Sequence, residues 1–330
     1  MFFSLLGLIL VYLTGCTGLI HPVPSSGVRG LAQKSSPPAP ASSLGIVDVV
    51  PFAQRCAAPG VFRCIGFDSP GDFVTSGDFP AQTVYNAGND IGQDCTVSAS
   101  GGCSLRITVP GPNNPGATDA SKFEWDFVKD NQAFGQNSTL YVQVRFRLDH
   151  ALLKNDYHGE GWKQVLIYGG KTSCSNLGLV TQNEYYRGYP IMFHRCSPNI
   201  STTVGDTIYL EQGDYNCAYG SSSAKHCALY HGNEWDTYYW KIHVGNWGQA
   251  NSSVEAWVAY GEGPLRKWVY QPHFTLQFQE SAGDVLDKIA LTAYITGRRT
   301  TDLAPSDGHM WFDELILSSQ PIPAPNGPTP

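Results

Sequence analysis

Tyr141 to Leu148 alternates without a break between apolar and polar side chains, and no other stretch constrains the fold as strongly. Val142, Val144, Phe146 and Leu148 fall on one side of an extended strand, while Tyr141, Gln143, Arg145 and Arg147 fall on the other. Such a strand has one face to bury and needs a sheet around it. Shorter runs of the same character recur at Val165–Tyr168, Leu179–Asn183, Pro190–Arg195, Tyr238–Val244, Val254–Tyr260, Lys267–Gln271, Ile289–Ile295 and Met310–Ser318, between clusters of Gly, Asn and Ser. Helical candidates are short, such as His150–Lys154, and no repeat of solenoid or propeller period occurs. The pattern predicts an all-β, two-sheet antiparallel sandwich.

The chain divides by composition. Met1 to Gly15 is apolar, residues 16–50 are rich in Pro, Ser and Ala, and the last residues, 320–330, are again Pro-rich. Between them, residues 51–319 are enough for one large core, with the flanks expected as an N-terminal tether and a flexible C-terminal tail. The Leu13-Thr14-Gly15-Cys16 stretch resembles the lipobox of bacterial lipoproteins. That resemblance implies a signal peptide over residues 1–15, a lipid on Cys16, and an exported protein held at an outer membrane or cell surface. A formal net charge of −7 gives no general attraction to nucleic acid, which is not expected as a partner.

Setting Cys16 aside, the other cysteines form four sequential couples, and short loops favour nearest-neighbour pairing. The expected disulfides are Cys56–Cys64, Cys95–Cys103, Cys174–Cys196 and Cys217–Cys227, in keeping with a domain outside the cytosol. No Cys-x-x-Cys pair suggests zinc, and the His and Glu of His158-Gly159-Glu160-Gly161 are two ligands only, so no metal site is assigned.

Asn233-Glu234-Trp235 leading into Tyr239–Val244 and Val254–Tyr260, together with the closing Trp311-Phe312-Asp313-Glu314-Leu315-Ile316-Leu317-Ser318, is similar to the strands of concanavalin A-like jelly rolls. That resemblance covers about residues 60–319 and implies a β-jelly-roll whose concave sheet holds a glycan. Fold alone does not choose among lectin-like modules, glucanases and polysaccharide lyases. The carboxylate pair of a jelly-roll glucanase, Glu-x-Asp-x-x-Glu on one strand, is missing: Glu124-Trp125-Asp126 is followed by Lys129. Asp313 and Glu314, being adjacent, are expected on opposite faces of their strand.

β-Elimination at a uronate asks instead for a group that neutralises the carboxylate and for groups that move protons. The order of the strands resembles the alginate-lyase type of jelly roll. That resemblance implies Arg145 or Arg147 gripping a carboxylate, Gln164 of Gln164-Val165-Leu166 neutralising it, and Tyr294 of Ala293-Tyr294-Ile295-Thr296 transferring the proton. Leu166 stands where that family has His, and His194 is the candidate to supply an imidazole in its place. Gln143, Lys163, Arg187 and Tyr189 complete the expected substrate contacts. Two functions stay open: an exported, membrane-tethered polysaccharide lyase cutting an acidic, uronate-containing glycan, or a non-catalytic glycan-binding or envelope lipoprotein. Either takes an acidic polysaccharide as partner, requires no cofactor, is compatible with a structural Ca²⁺, and is expected as a monomer.

Overall fold

In a computed structural model the described residues are 49–73, 90–109, 121–154, 162–169, 178–183, 190–195, 207–208, 228–246, 249–274, 285–295 and 306–330. Cys16, Cys174, Cys196, Cys217, Cys227, His158, Glu160, Arg187 and Tyr189 lie outside them. The described strands form two sheets, antiparallel at every pairing between them. The chain has the all-β sandwich architecture of a jelly roll, and among the described residues two one-turn α-helices occur, α1 (Phe52–Cys56) and α2 (His150–Lys154).

The larger sheet has eight strands: β1 (Val61–Ile65), β2 (Asp90–Asp94), β3 (Ser104–Val109), β5 (Ser138–Leu148), β10 (Trp235–Val244), β11 (Ser252–Tyr260), β12 (Arg266–Phe274) and β14 (Gly308–Ser318). Their order is β12-β11-β10-β5-β14-β3-β2, with β1 also pairing to β14. The smaller sheet takes β4 (Lys122–Asp126), β13 (Lys288–Ile295), β6 (Trp162–Tyr168), β7 (Gly178–Asn183), β8 (Pro190–Arg195) and β9 (Thr207–Ile208), in that order.

The alternation along β5 is realised as the sequence predicts. Val142, Val144, Phe146 and Leu148 are buried in the core between the sheets, where Phe146 stacks on Tyr238 with ring centroids 4.0 Å apart. Phe123 and Trp125 of β4, Val165 and Ile167 of β6, and Ile289 and Leu291 of β13 meet them from the other sheet. Burying each such side chain contributes about 1.5–3 kcal/mol, which is why a period-2 pattern holds its register.

The opposite face of β5 is also covered. Arg55 of α1 is buried and donates to Gln143 Oε1, to Glu314 Oε2 and, at 3.1 Å, to Val50 O. The C-terminal segment, expected to be loose, packs on the same face. Gln143 Nε2 donates to Pro323 O at 3.2 Å, Ile322 N to the Tyr239 hydroxyl at 3.1 Å, and Val50 N to Pro325 O at 2.8 Å. Ile322 joins Tyr239, Trp257 and Ile316 in a second apolar cluster, so the Pro-rich end supplies a missing layer rather than a linker. Disulfides Cys56–Cys64 and Cys95–Cys103 are present, and the first staples α1 to β1.

Asp313 and Glu314 depart from simple alternation. Glu314 takes φ 51°, and the register against β5 slips between Asp313 and Ile316. Two residues therefore lie between the core-facing Phe312 and Leu315, and both carboxyls turn away from the core. Asp313 accepts from Ala99 N at 2.8 Å, yet burial pushes its carboxyl up to about 7, helped by the neighbouring charges of Glu314 and Asp68. The folded state thus keeps a proton that the unfolded chain releases near the usual 3.8. The stabilisation from this group is complete below that pH and is lost as pH rises towards 7. Urea midpoints measured from pH 4 to pH 7 are expected to fall less steeply in Asp313→Asn than in the wild type; equal slopes would contradict this assignment.

Candidate functional site

The face of the six-stranded sheet turned away from the core begins at β4. Phe123 and Trp125 point into the core, which leaves Lys122, Glu124 and Asp126 on the other side. Register carries this row onward: Glu124 lies opposite Ala290 of β13, which lies opposite Leu166 of β6, and Lys288 bridges Asp126 to Tyr168 in the same way. The side chains answer the register. Lys122 Nζ and the Tyr168 hydroxyl both donate to Glu124 Oε2, and Lys122 Nζ stands 3.5 Å from the Tyr168 hydroxyl. Glu124 is buried, while a quarter of the Lys122 side chain is exposed (25%). Burial, reinforced by the Glu124 charge, holds the Tyr168 phenol far above its ordinary range, so this Tyr remains a proton donor.

Gln164 occupies an irregular position. It is the unmatched residue where the β6–β7 register shifts between Lys163 and Val165, and it falls beside the β13 shift between Leu291 and Tyr294. Its side chain is fully buried. Oε1 accepts from the Tyr230 hydroxyl at 2.6 Å, and Nε2 has no hydrogen-bond partner among the described residues. Across the second shift, Tyr294 pairs with Lys163.

The expected site residues divide between the two sheets. Gln164 and Lys163 on β6 and Tyr294 on β13 come together on adjacent strands. His194 is on β8 of the same sheet, in register with Leu179 and, through it, with the core residue Ile167. Gln143, Arg145 and Arg147 are on β5, in the other sheet. Arg145 is buried there, 2.8 Å from Glu262 and 4.0 Å from Glu314, and Arg147 lies over the Trp311 ring at 5.5 Å. Arg145 lines a cavity of about 450 Å³ with Arg55, Asp68, Glu262 and Glu314. Three carboxylates against two guanidinium groups make that cavity a poor host for a uronate.

Lys122, Glu124 and Tyr168 were not singled out by the sequence reading as a site. The signal existed in the run Lys122-Phe123-Glu124-Trp125-Asp126, where apolar Phe123 and Trp125 alternate with charged Lys122, Glu124 and Asp126.

No protein-family model matches the sequence, and no curated protein matches it. Among solved structures, the chain is similar to an alginate lyase from Aplysia kurodai at 13% identity and a TM-score of 0.46, covering 69% of this chain and 86% of that one. An endo-β-1,4-glucuronan lyase from Trichoderma reesei aligns at 11% identity and a TM-score of 0.44, covering 71% and 89% of the two chains. An alginate lyase from a Chlorella virus aligns at 9% identity and 0.42, covering 70% and 90%.

Proposed function

We propose that the chain is a polysaccharide lyase that cleaves an acidic, uronate-containing glycan by β-elimination, with the outer face of the six-stranded sheet as its working surface. The observation that carries this reading is the β13–β6 pairing, which brings Tyr294 opposite Lys163 and one residue from Gln164. Elimination breaks the C5–H and C4–O bonds of the uronate and leaves a C4–C5 double bond. Neutralising the carboxylate makes the C5 proton acidic enough to leave. In this reading Lys163 and Lys122 supply positive charge, and the unpartnered Nε2 of Gln164 supplies a neutral donor. Tyr294 as phenolate takes the C5 proton, and its phenol returns a proton to the departing glycosidic oxygen. His194 stands three strands from Tyr294, about 14 Å across the sheet. That separation, with a register that leads to the core residue Ile167 and not to the Glu124–Ala290–Leu166 row, sets His194 apart from work on the same bond.

The full burial of Gln164 under Tyr230 favours a second reading, in which Gln164 is structural and the face binds an acidic glycan without turnover. Absorbance near 235 nm separates the two, because only elimination creates the conjugated double bond. A rise during incubation with one member of a panel of uronate polysaccharides is the expected result. A flat trace on every polysaccharide, with binding detected by calorimetry, would replace the lyase by the binding protein.

A further inference from the structure

We propose that His231, Glu234 and Asp236 form a binding site for a first-row divalent cation of the Zn²⁺ class. The three residues sit where the chain enters β10, in the sequence His231-Gly232-Asn233-Glu234-Trp235-Asp236. His231 Nδ1 lies 3.6 Å from Glu234 Oε2 and 3.9 Å from Asp236 Oδ1, and one donor atom from each residue falls within 4.8 Å of the other two. Tetrahedral bonds of about 2.1 Å place neighbouring ligand atoms about 3.4 Å apart. The two His231 separations, 3.6 and 3.9 Å, are close to that spacing, and the Glu234 and Asp236 ligand atoms lie within 4.8 Å of each other.

The backbone holds these ligands in place before any ion arrives. Asn233 adopts φ 65°, and its amide donates to Leu148 O at 2.7 Å, which pins the turn to the end of β5. Gly232 bridges to Leu148, and a Cβ at that position would meet His150 Nδ1 at 2.1 Å, so the turn requires glycine there. Asp236 is fixed within β10 by pairing with Phe146 and Tyr260. The His231 ring packs on Tyr260 with centroids 4.1 Å apart, and Tyr260 is itself held by a 2.7 Å bond from Arg266.

Two features of this cluster call for a cation. His231 Nδ1 is shielded from solvent and has no hydrogen-bond partner, although the rest of the side chain is partly exposed. The Asp236 carboxyl is buried (3% exposed) and receives a long 3.4 Å contact from Gly261 N. The buried Arg55–Glu314 pair makes a useful contrast, because its two groups already satisfy each other.

The donor set selects the ion. One imidazole with two carboxylates suits Zn²⁺ and its neighbours, whereas Ca²⁺ prefers six to eight oxygens. A search of the sequence for cysteine ligands misses the site because its pattern is His-x-x-Glu-x-Asp. A bound ion would tie the segment entering β10 to the turn after β11, through Tyr260 beneath His231 and Gly261 beside Asp236. The consequence is greater stability, since an ion that binds only the folded chain shifts unfolding by mass action.

The full chain, stripped with a chelator and desalted, is titrated with ZnCl₂ and separately with CaCl₂ by calorimetry. One Zn²⁺ per chain is expected, with His231→Gln and Glu234→Gln each weakening binding at least 10-fold. The thermal midpoint should rise with ZnCl₂ in the wild type and stay fixed in Asp236→Asn. Glu234 is 62% exposed, so Glu234→Gln tests coordination without endangering the fold. Zn²⁺ binding that is unchanged in Glu234→Gln and His231→Gln would move the ion elsewhere and overturn the proposal. Absence of Zn²⁺ heat, or heat with Ca²⁺ alone, would overturn it equally.

Discussion

Tyr294→Phe is expected to lower the rate of double-bond formation on the responsive uronate polysaccharide by about 10²–10⁴-fold, the range associated with loss of a positioned proton-transfer group. The substitution removes one hydroxyl and nothing else. The β13–β6 ladder at this position is made by backbone groups, and the neighbouring Ala293 stays in the core, so the thermal midpoint should remain close to that of the wild type. The loss should fall on kcat, with KM little changed, because the phenol acts on the reacting bond rather than on the bulk of the glycan. Lys122→Ala provides a counterpoint. It removes a partly exposed cation, so it should raise KM more than it lowers kcat. If Tyr294→Phe turns over within twofold of the wild type, Tyr294 has no part in proton transfer.

What the sequence made legible follows the range of each signal. The alternation in Tyr141–Leu148 is local, and it correctly announces a half-apolar strand whose Val142, Val144, Phe146 and Leu148 line the core. Sheet membership is not local. β5 pairs with β10 and β14, partners that begin some 90 and 160 residues further along the chain, and no spacing within β5 reveals that Gln143, Arg145 and Arg147 lie in a different sheet from Gln164 and Tyr294. The polar face of β5 was equally ambiguous. Arginines at alternate positions read as ligand contacts, and that reading contains neither Glu262 and Glu314, which meet the buried Arg145, nor the tail that packs on Gln143. Pro321, Pro323 and Pro325 made the tail look like a linker, but Ile322 and Ala324 between them become buried. The bulges at Gln164 and Glu314 are hidden for a related reason: each is an extra residue relative to a partner strand, a property of the pair rather than of either sequence.

Glu314→Ala is expected to destabilise the fold by about 3–5 kcal/mol, the range associated with removing one partner of a buried ion pair. Arg55 and Glu314 are each 2% exposed, so the guanidinium left behind gains little from solvent. Relaxation is restricted as well, because the next residue, Cys56, is tied by its disulfide to Cys64 of β1 and α1 cannot simply swing outward. Arg55 would retain Gln143 Oε1 and Val50 O, which are neutral acceptors and only partly offset a buried charge. Arg55→Ala should be milder. It leaves Glu314 with Arg145 at 4.0 Å, a second cation already in place, whereas the converse change leaves Arg55 with no carboxylate partner among the described residues. Alanine is the informative replacement at 314, since it bears the same left-handed backbone strain as Glu while glycine would relieve it and mask part of the loss. Urea denaturation of the two variants beside the wild type measures both the size and the order. A Glu314→Ala loss below about 1 kcal/mol, or one smaller than that of Arg55→Ala, would mean that the tail and α1 are held to β5 by apolar contact around Ile322 and not by this pair.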